Sequence, residues 1–186
     1  MNRGDLIRNL EEYHTDFLTE QKFIPKFLDL LSYPNCYERS LTFGHITASA
    51  WITNKSLNKV LLLHHAKLDR WLQPGGHADG DEDVIAVAKK ELTEETGLRS
   101  LRLYNKKIFD LDIHTIPERK GIPEHDHYDV RFHFIAKYPE EISKNDESHE
   151  LKWIPNDEVL GLVDHEESFE RMLSKNEERR LKLVQV

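Results

Sequence analysis

Three glutamates carry the strongest chemical signal in this chain. Glu91, Glu94 and Glu95 stand at i, i+3 and i+4 within Lys90-Glu91-Leu92-Thr93-Glu94-Glu95. On a helix turning ~100° per residue, Glu95 lies about 40° to one side of Glu91 and Glu94 about 60° to the other. Ile85, Ala88 and Leu92 form the apolar stripe beside them and turn toward a core. Carboxylates this close at the rim of a core repel one another. A shared hard cation, which takes oxygen ligands, removes that repulsion. A solvated acidic helix face is the plain alternative. Asp81-Glu82-Asp83 at the helix start suits the positive end of the helix dipole. Gly75-Gly76 just before it lets the backbone approach another group closely.

The wider spacing separates these readings. Gly76 is followed after five residues by Glu82, and after seven more by Lys90-Glu91-Leu92-Thr93-Glu94-Glu95-Thr96-Gly97-Leu98. This resembles the Nudix box, G-x5-E-x7-R-E-U-x-E-E-x-G-U, where U is a bulky aliphatic residue. All defined positions but one match, and chance agreement is on the order of 10⁻⁸ per window. The departure is Lys90, where the family has Arg. In the family that Arg is expected to brace the first carboxylate of the box, here Glu82. Lys keeps the charge and loses the planar fork.

The resemblance covers roughly residues 42 to 175. It implies a Nudix-like α/β/α sandwich around a mixed sheet. It also implies hydrolysis of a diphosphate linked to another moiety, with Mg²⁺ or Mn²⁺ as cofactor. The substrate class it implies is a nucleoside diphosphate derivative. Glu91, Glu94 and Glu95 are the implied metal ligands, and Glu82, Lys90 and Gly97 the structural positions of the box. Phosphoryl transfer needs charge neutralised on phosphate oxygens and an aligned water, which clustered carboxylates with a metal supply. The general base is Glu94 or a residue further along. Glu147 is the preferred one, with Glu150 beside it in Asp146-Glu147-Ser148-His149-Glu150. The downstream residues that mark ADP-ribose, dinucleoside-polyphosphate and NADH subgroups are missing, as is the upstream coenzyme A signature, so the substrate is not named.

A second pattern lies in residues 125 to 134. His125, His127, Asp129, Arg131 and His133 alternate with Asp126, Tyr128, Val130, Phe132 and Phe134. The second set meets a core. The first is a solvated edge, a pocket wall, or a transition-metal site. As a pocket wall it makes His127, Asp129 and Arg131 substrate-binding residues, Arg131 pairing with a phosphate or carboxylate. Arg70, Gly75 and Gly76 in the preceding loop are further substrate-binding candidates. His64, His65 and His77 flank that loop and read as structural.

These residues need elements to hold them. Helical spacing runs through residues 5 to 32 in two sets, with Pro25 expected in the first turn of the second helix. Period two begins at Gly44, and a hairpin joins residues 44–52 to 60–65. A loop covers 67–77 and a helix 82–96. Extended segments follow at 101–115, 126–138 and around Leu151 and Trp153, then helices after Pro155 and over 166–181. Residues 1–40 are read as a helical extension packed on a hydrolase domain of residues 41–186, a cap on its core or a homodimer surface.

Composition bounds the rest. The chain has 186 residues, 38% hydrophobic and 32% charged, enough for a real core. A net charge of −8 argues against a nucleic-acid binder. Cys36 is the single cysteine, so no intrachain disulfide forms. No apolar run has the length of a membrane span. A soluble, cytoplasmic protein acting on a small-molecule diphosphate is expected. The alternatives are a non-catalytic Nudix-fold ligand-binding or regulatory module, and a hydrolase of non-nucleotide diphosphates. A prenyl diphosphate isomerase, which shares the fold, needs a pocket cysteine, and Cys36 lies outside the matched region.

Overall fold

The computed structural model of the protein describes residues 1–119, 121–139, 141–163 and 166–184. The elements run α1 (Arg3–Glu11), α2 (Leu18–Leu30), β1 (Gly44–Thr53), β2 (Lys59–His65), β3 (Arg70–Leu72), β4 (Gly75–His77), α3 (Val84–Thr96), β5 (Leu101–Leu103), β6 (Asp110–Ile116), β7 (His125–Ala136), β8 (Ser148–Pro155), α4 (Val159–Leu162) and α5 (Glu167–Val184). The fold is α/β with a mixed sheet, as the resemblance implied, and the N-terminal helix pair is present. Among the described residues no helix is long and apolar enough to cross a membrane.

The chain forms two compact units. One comprises Met1–Ser49, Gly75–Ala88 and Lys106–Phe132; the other comprises Ala50–Pro74, Lys89–Asn105 and the chain from His133 onward. β1, α3 and β7 contribute residues to both.

In the first unit, β6 and β7 form an antiparallel ladder from Asp110↔Arg131 to Ile116↔His125. β4 lies antiparallel to β1, with Thr47↔His77, Ala48↔Gly76 and Ser49↔Gly75. β1 and β7 run side by side in the same direction. The Asp126 N–H donates to the Phe43 carbonyl at 3.0 Å, and the Ser49 hydroxyl reaches Asp129 further on. β7 is therefore flanked on both sides, and its His/Asp/Arg face is not a solvated edge. Asp129 and Arg131 are buried with the apolar face.

The helix pair is tied to this sheet by a buried carboxylate. Glu20 is fully buried and accepts hydrogen bonds from Tyr13 Oη at 2.8 Å, Thr15 Oγ1 at 2.5 Å and the Leu111 N–H at 2.9 Å. Buried carboxylates need such donors. Drawing Tyr13 and Thr15 onto Glu20 breaks the chain between α1 and α2 and starts α2 at Leu18. Phe17 thus becomes the N-cap of α2 and Leu18 its first residue. Pro25 lies inside α2 and not in its first turn, where its missing N–H removes one helical hydrogen bond. Leu6, Leu10, Phe27 and Leu30 are buried, and Phe27 meets Tyr128 edge-on at 5.3 Å.

In the second unit, β2 is the central strand. It pairs antiparallel with β8 from Lys59↔Pro155 to His65↔Ser148, and with β3 through His64↔Trp71. The expected hairpin is seen at Thr53↔Val60. β5 pairs with the end of β7 through Leu101↔Ala136. Asn156 and Asn176 both donate from Nδ2 to the Leu57 carbonyl at 2.9 Å, pinning the hairpin loop to β8 and α5. Trp51 is fully buried with Phe169 of α5 against it.

Candidate active site

The carboxylate helix α3 is bounded by its own sequence. Asp83 Oδ1 accepts from the Ala86 N–H at 3.0 Å, capping the first turn. At the other end Gly97 takes φ +72°, the left-handed conformation that stops helices. A Cβ there would sit 2.9 Å from Cβ of Ser143, whose N–H donates to the Thr96 carbonyl at 2.7 Å. Thr96 Oγ1 turns back to the Leu92 carbonyl at 2.7 Å. Both ends of the last turn are thereby fixed, and with them the three glutamates.

Those glutamates are graded in exposure. The Glu94 side chain is 56% exposed and the Glu91 side chain 19%, while Glu95 is buried. Lys90 Nζ lies 3.3 Å from Glu91 Oε1 and 3.6 Å from Glu94 Oε2. Hydrogen bonding to Glu91 and its charge, with a smaller contribution from Glu94, hold the Lys90 ammonium above its ordinary pKa. An ammonium among these carboxylates marks the place as one that takes positive charge. A cluster of carboxylate oxygens with one buried member is a donor set for a hard divalent ion.

Glu82 has a different brace from the one expected. Arg3 Nη2 of α1 meets Glu82 Oε1 at 2.9 Å. The same guanidinium donates to the Pro34 carbonyl at 2.8 Å and lies over the Tyr37 ring at 5.1 Å. Lys90 turns to Glu91 and Glu94 instead. Lys lacks the fork to clasp a carboxylate, and Arg has it.

Gly75 is required by contact. A Cβ would come within 2.3 Å of Ser49 Oγ, which donates to Asp129 Oδ2 at 2.7 Å. Thr47 Oγ1 donates to the same carboxylate at 3.1 Å. Gly76 sits opposite Ala48 in the same ladder.

Arg131 meets carboxylates of its own unit. Its Nε donates to Asp129 at 2.8 Å, Nη1 to Asp110 at 3.1 Å and Nη2 to Asp112 at 3.1 Å. Burial pulls its pKa down, but Asp112, Asp129 and Asp110 outweigh that and hold it above the ordinary value. β6 supplies two of these partners through the Asp110↔Arg131 and Asp112↔Asp129 register.

His127 belongs to a cluster. His77 Nε2 and His127 Nε2 are 3.2 Å apart. His45 stacks on His125 at 5.1 Å and lies 5.1 Å from His127. Burial first, then neighbouring cations and imidazoles, pushes His77 down to about 4 and His127 further still. Both rings are neutral at neutral pH.

In the second unit, exposed Arg70 is ion-paired with Glu166. Glu147 is exposed just before β8, and its carbonyl accepts from the Ala66 N–H at 2.9 Å. Arg3, Glu20, Asp110, Asp112, His45 and Glu166 were not singled out from sequence as partners. No local spacing links them to the groups they meet.

An α/β fold with a mixed sheet, carrying a capped helix with three carboxylates on one side, defines a class of metal-using hydrolases of the Nudix type. The NUDIX domain family matches residues 44–174, and this chain belongs to that family as a Nudix-type hydrolase domain. An RNA pyrophosphohydrolase of Bartonella tribocorum is 35% identical over 79 residues, which cover 41% of this chain and 42% of that protein. An asymmetrical bis(5′-nucleosyl)-tetraphosphatase of Rattus norvegicus is 26% identical over 119 residues, covering 62% of this chain and 76% of that one. Among solved structures, a C. elegans Ap4A hydrolase shares the fold with a TM-score of 0.56 and 21% identity, over 70% of this chain and 93% of that one.

Proposed function

We propose that this chain hydrolyses a diphosphate linkage in a nucleoside diphosphate derivative, using Mg²⁺ or Mn²⁺ held by Glu91, Glu94 and Glu95. The observation that carries this reading is the carboxylate set on α3, graded from exposed Glu94 to buried Glu95 on a helix locked at both ends. The two curated relatives support the substrate class, since one is named for pyrophosphate hydrolysis on RNA and the other for a bis(5′-nucleosyl) tetraphosphate.

A divalent ion bound there neutralises phosphate oxygens and makes a water more acidic. Glu91 and Glu95 supply the fixed negative charge that places it. Glu94, or Glu147 on the turn before β8, takes the proton from the attacking water. The water oxygen forms the new bond to phosphorus, and the bridging oxygen leaves with its electron pair. Lys90 balances Glu91 and Glu94 and keeps the trio from repelling itself apart. With Arg131 paired to three aspartates and Arg70 to Glu166, each holds its own strand, β7 or β3, in place in this reading.

The test is a panel of a dinucleoside polyphosphate, a 5′-triphosphorylated oligoribonucleotide, a nucleoside diphosphate sugar and a non-nucleotide diphosphate. Products with Mg²⁺ are resolved by chromatography. Turnover of at least one nucleotide, abolished by chelator and by Glu95→Gln, is expected. Binding without turnover across the panel, or turnover of the non-nucleotide compound alone, overturns the proposal. Glu94→Gln and Glu147→Gln then separate the two bases, because the true base alone removes the acidic limb of the kcat–pH profile.

A further inference from the structure

Three strands of the first unit bring imidazoles to one point. In β1, His45, Thr47 and Ser49 share a face by period two. The β1–β4 register sets His77 opposite Thr47, hence on that face. Thr47 and Ser49 both reach Asp129 of β7, which places Asp129, and His127 two residues before it, on the same face. One donor nitrogen from each of His45, His77 and His127 lies within 4.8 Å of the others. His114 and His125 bring their rings to 5.4 and 5.2 Å from His127.

His45 needs explanation. It is 2% exposed, and neither ring nitrogen has a hydrogen-bond partner. The Leu41 backbone approaches the ring but falls outside hydrogen-bond geometry. A buried polar group without a partner costs ~1–3 kcal/mol, and a bound ion is one way to satisfy it. His77 and His127 share a hydrogen bond between their Nε2 atoms, and its length also fits two ligands of one ion. Two nitrogens each about 2.0–2.1 Å from one tetrahedral ion are about 3.3 Å apart, close to the 3.2 Å observed. Neutral imidazoles suit late first-row ions, and the absence of a carboxylate from the trio disfavours Mg²⁺.

We propose that His45, His77 and His127 form a second metal site, for Zn²⁺ or a similar late first-row divalent ion, chemically separate from the carboxylate set on α3. Three protein ligands leave a fourth position open for water or a ligand atom. His77 directly follows Gly75-Gly76, so the ion would hold β4 to β1 and β7 at the start of the Nudix box.

The test uses the full chain, stripped of metal and dialysed against Zn²⁺ in excess Mg²⁺, with bound zinc measured by elemental analysis. One zinc per chain is expected. Co²⁺ in its place should give the visible absorption of a four-coordinate site. His77→Ala and His127→Ala should each abolish zinc retention, while Glu91→Gln should leave it at one. Zinc retained by the histidine variants, or lost in Glu91→Gln, overturns the site. The wild-type Co²⁺ spectrum is independent of variant folding, and absence of the band in excess Mg²⁺ also overturns it.

Discussion

Arg3, in the first helix, holds Glu82, the first carboxylate of the Nudix box, at 2.9 Å. The family places an Arg eight residues beyond that Glu; here the position is Lys90, and the forked cation comes from α1. The helix pair therefore reaches the box chemically as well as by packing.

Arg3→Ala removes that pair, the donation to Pro34 and the contact with Tyr37. A loss of ~1–2 kcal/mol in urea denaturation is expected. Lys90→Arg should not restore it, since Lys90 faces Glu91 and Glu94. Recovery of stability in the double variant would show that position 90 can reach Glu82.

Glu91→Gln and Glu95→Gln should each lower kcat on the order of 10²-fold or more at saturating Mg²⁺. For Glu91→Gln the melting transition should stay within about 0.5 kcal/mol of wild type, because a half-exposed pair with Lys90 is lost while repulsion from its neighbours falls. Normal turnover in either variant removes the carboxylates from the reaction.

Arg131→Ala leaves the buried Asp110, Asp129 and largely buried Asp112 without their cation. The expected cost is ~3–5 kcal/mol, read from the denaturation midpoint. An unchanged midpoint with a raised KM would instead make the guanidinium a substrate ligand, the role its strand position first suggested.

His133 is buried in the second unit between Thr53 and Arg179. Arg179 donates to Nδ1 at 2.9 Å, so Nε2 carries the proton and donates to Thr53 Oγ1 at 2.8 Å. Burial, then the charges of Arg179 and Arg102, pushes its pKa well below the ordinary value. The native state keeps this imidazole neutral while the unfolded chain protonates it near 6.5. Stability is therefore flat in this group above about pH 6.5 and falls as pH drops below it. His133→Gln should reduce the acid-side slope by up to ~1.4 kcal/mol per pH unit relative to wild type, measured by urea denaturation in chelator. Equal slopes would contradict a neutral His133.

The box was legible because its relations are local. Glu91, Glu94 and Glu95 become neighbours through the helical period alone, and Gly97 ends that helix through its own backbone freedom. The helix pair and the strands β1, β2, β7 and β8 followed from periodicity of 3.6 and of two in the same way, whereas β3 and β4 lie in the stretch read as a loop. A boundary failed where burial intervened: Glu20, buried against the Leu111 N–H, drew Tyr13 and Thr15 inward and shifted the start of α2. The partners of Arg131, the cation on Glu82 and the meeting of His45, His77 and His127 were decided only by tertiary structure. Each joins strands or helices far apart in the chain, and strand register, which no short-range spacing encodes, sets which side chains face one another.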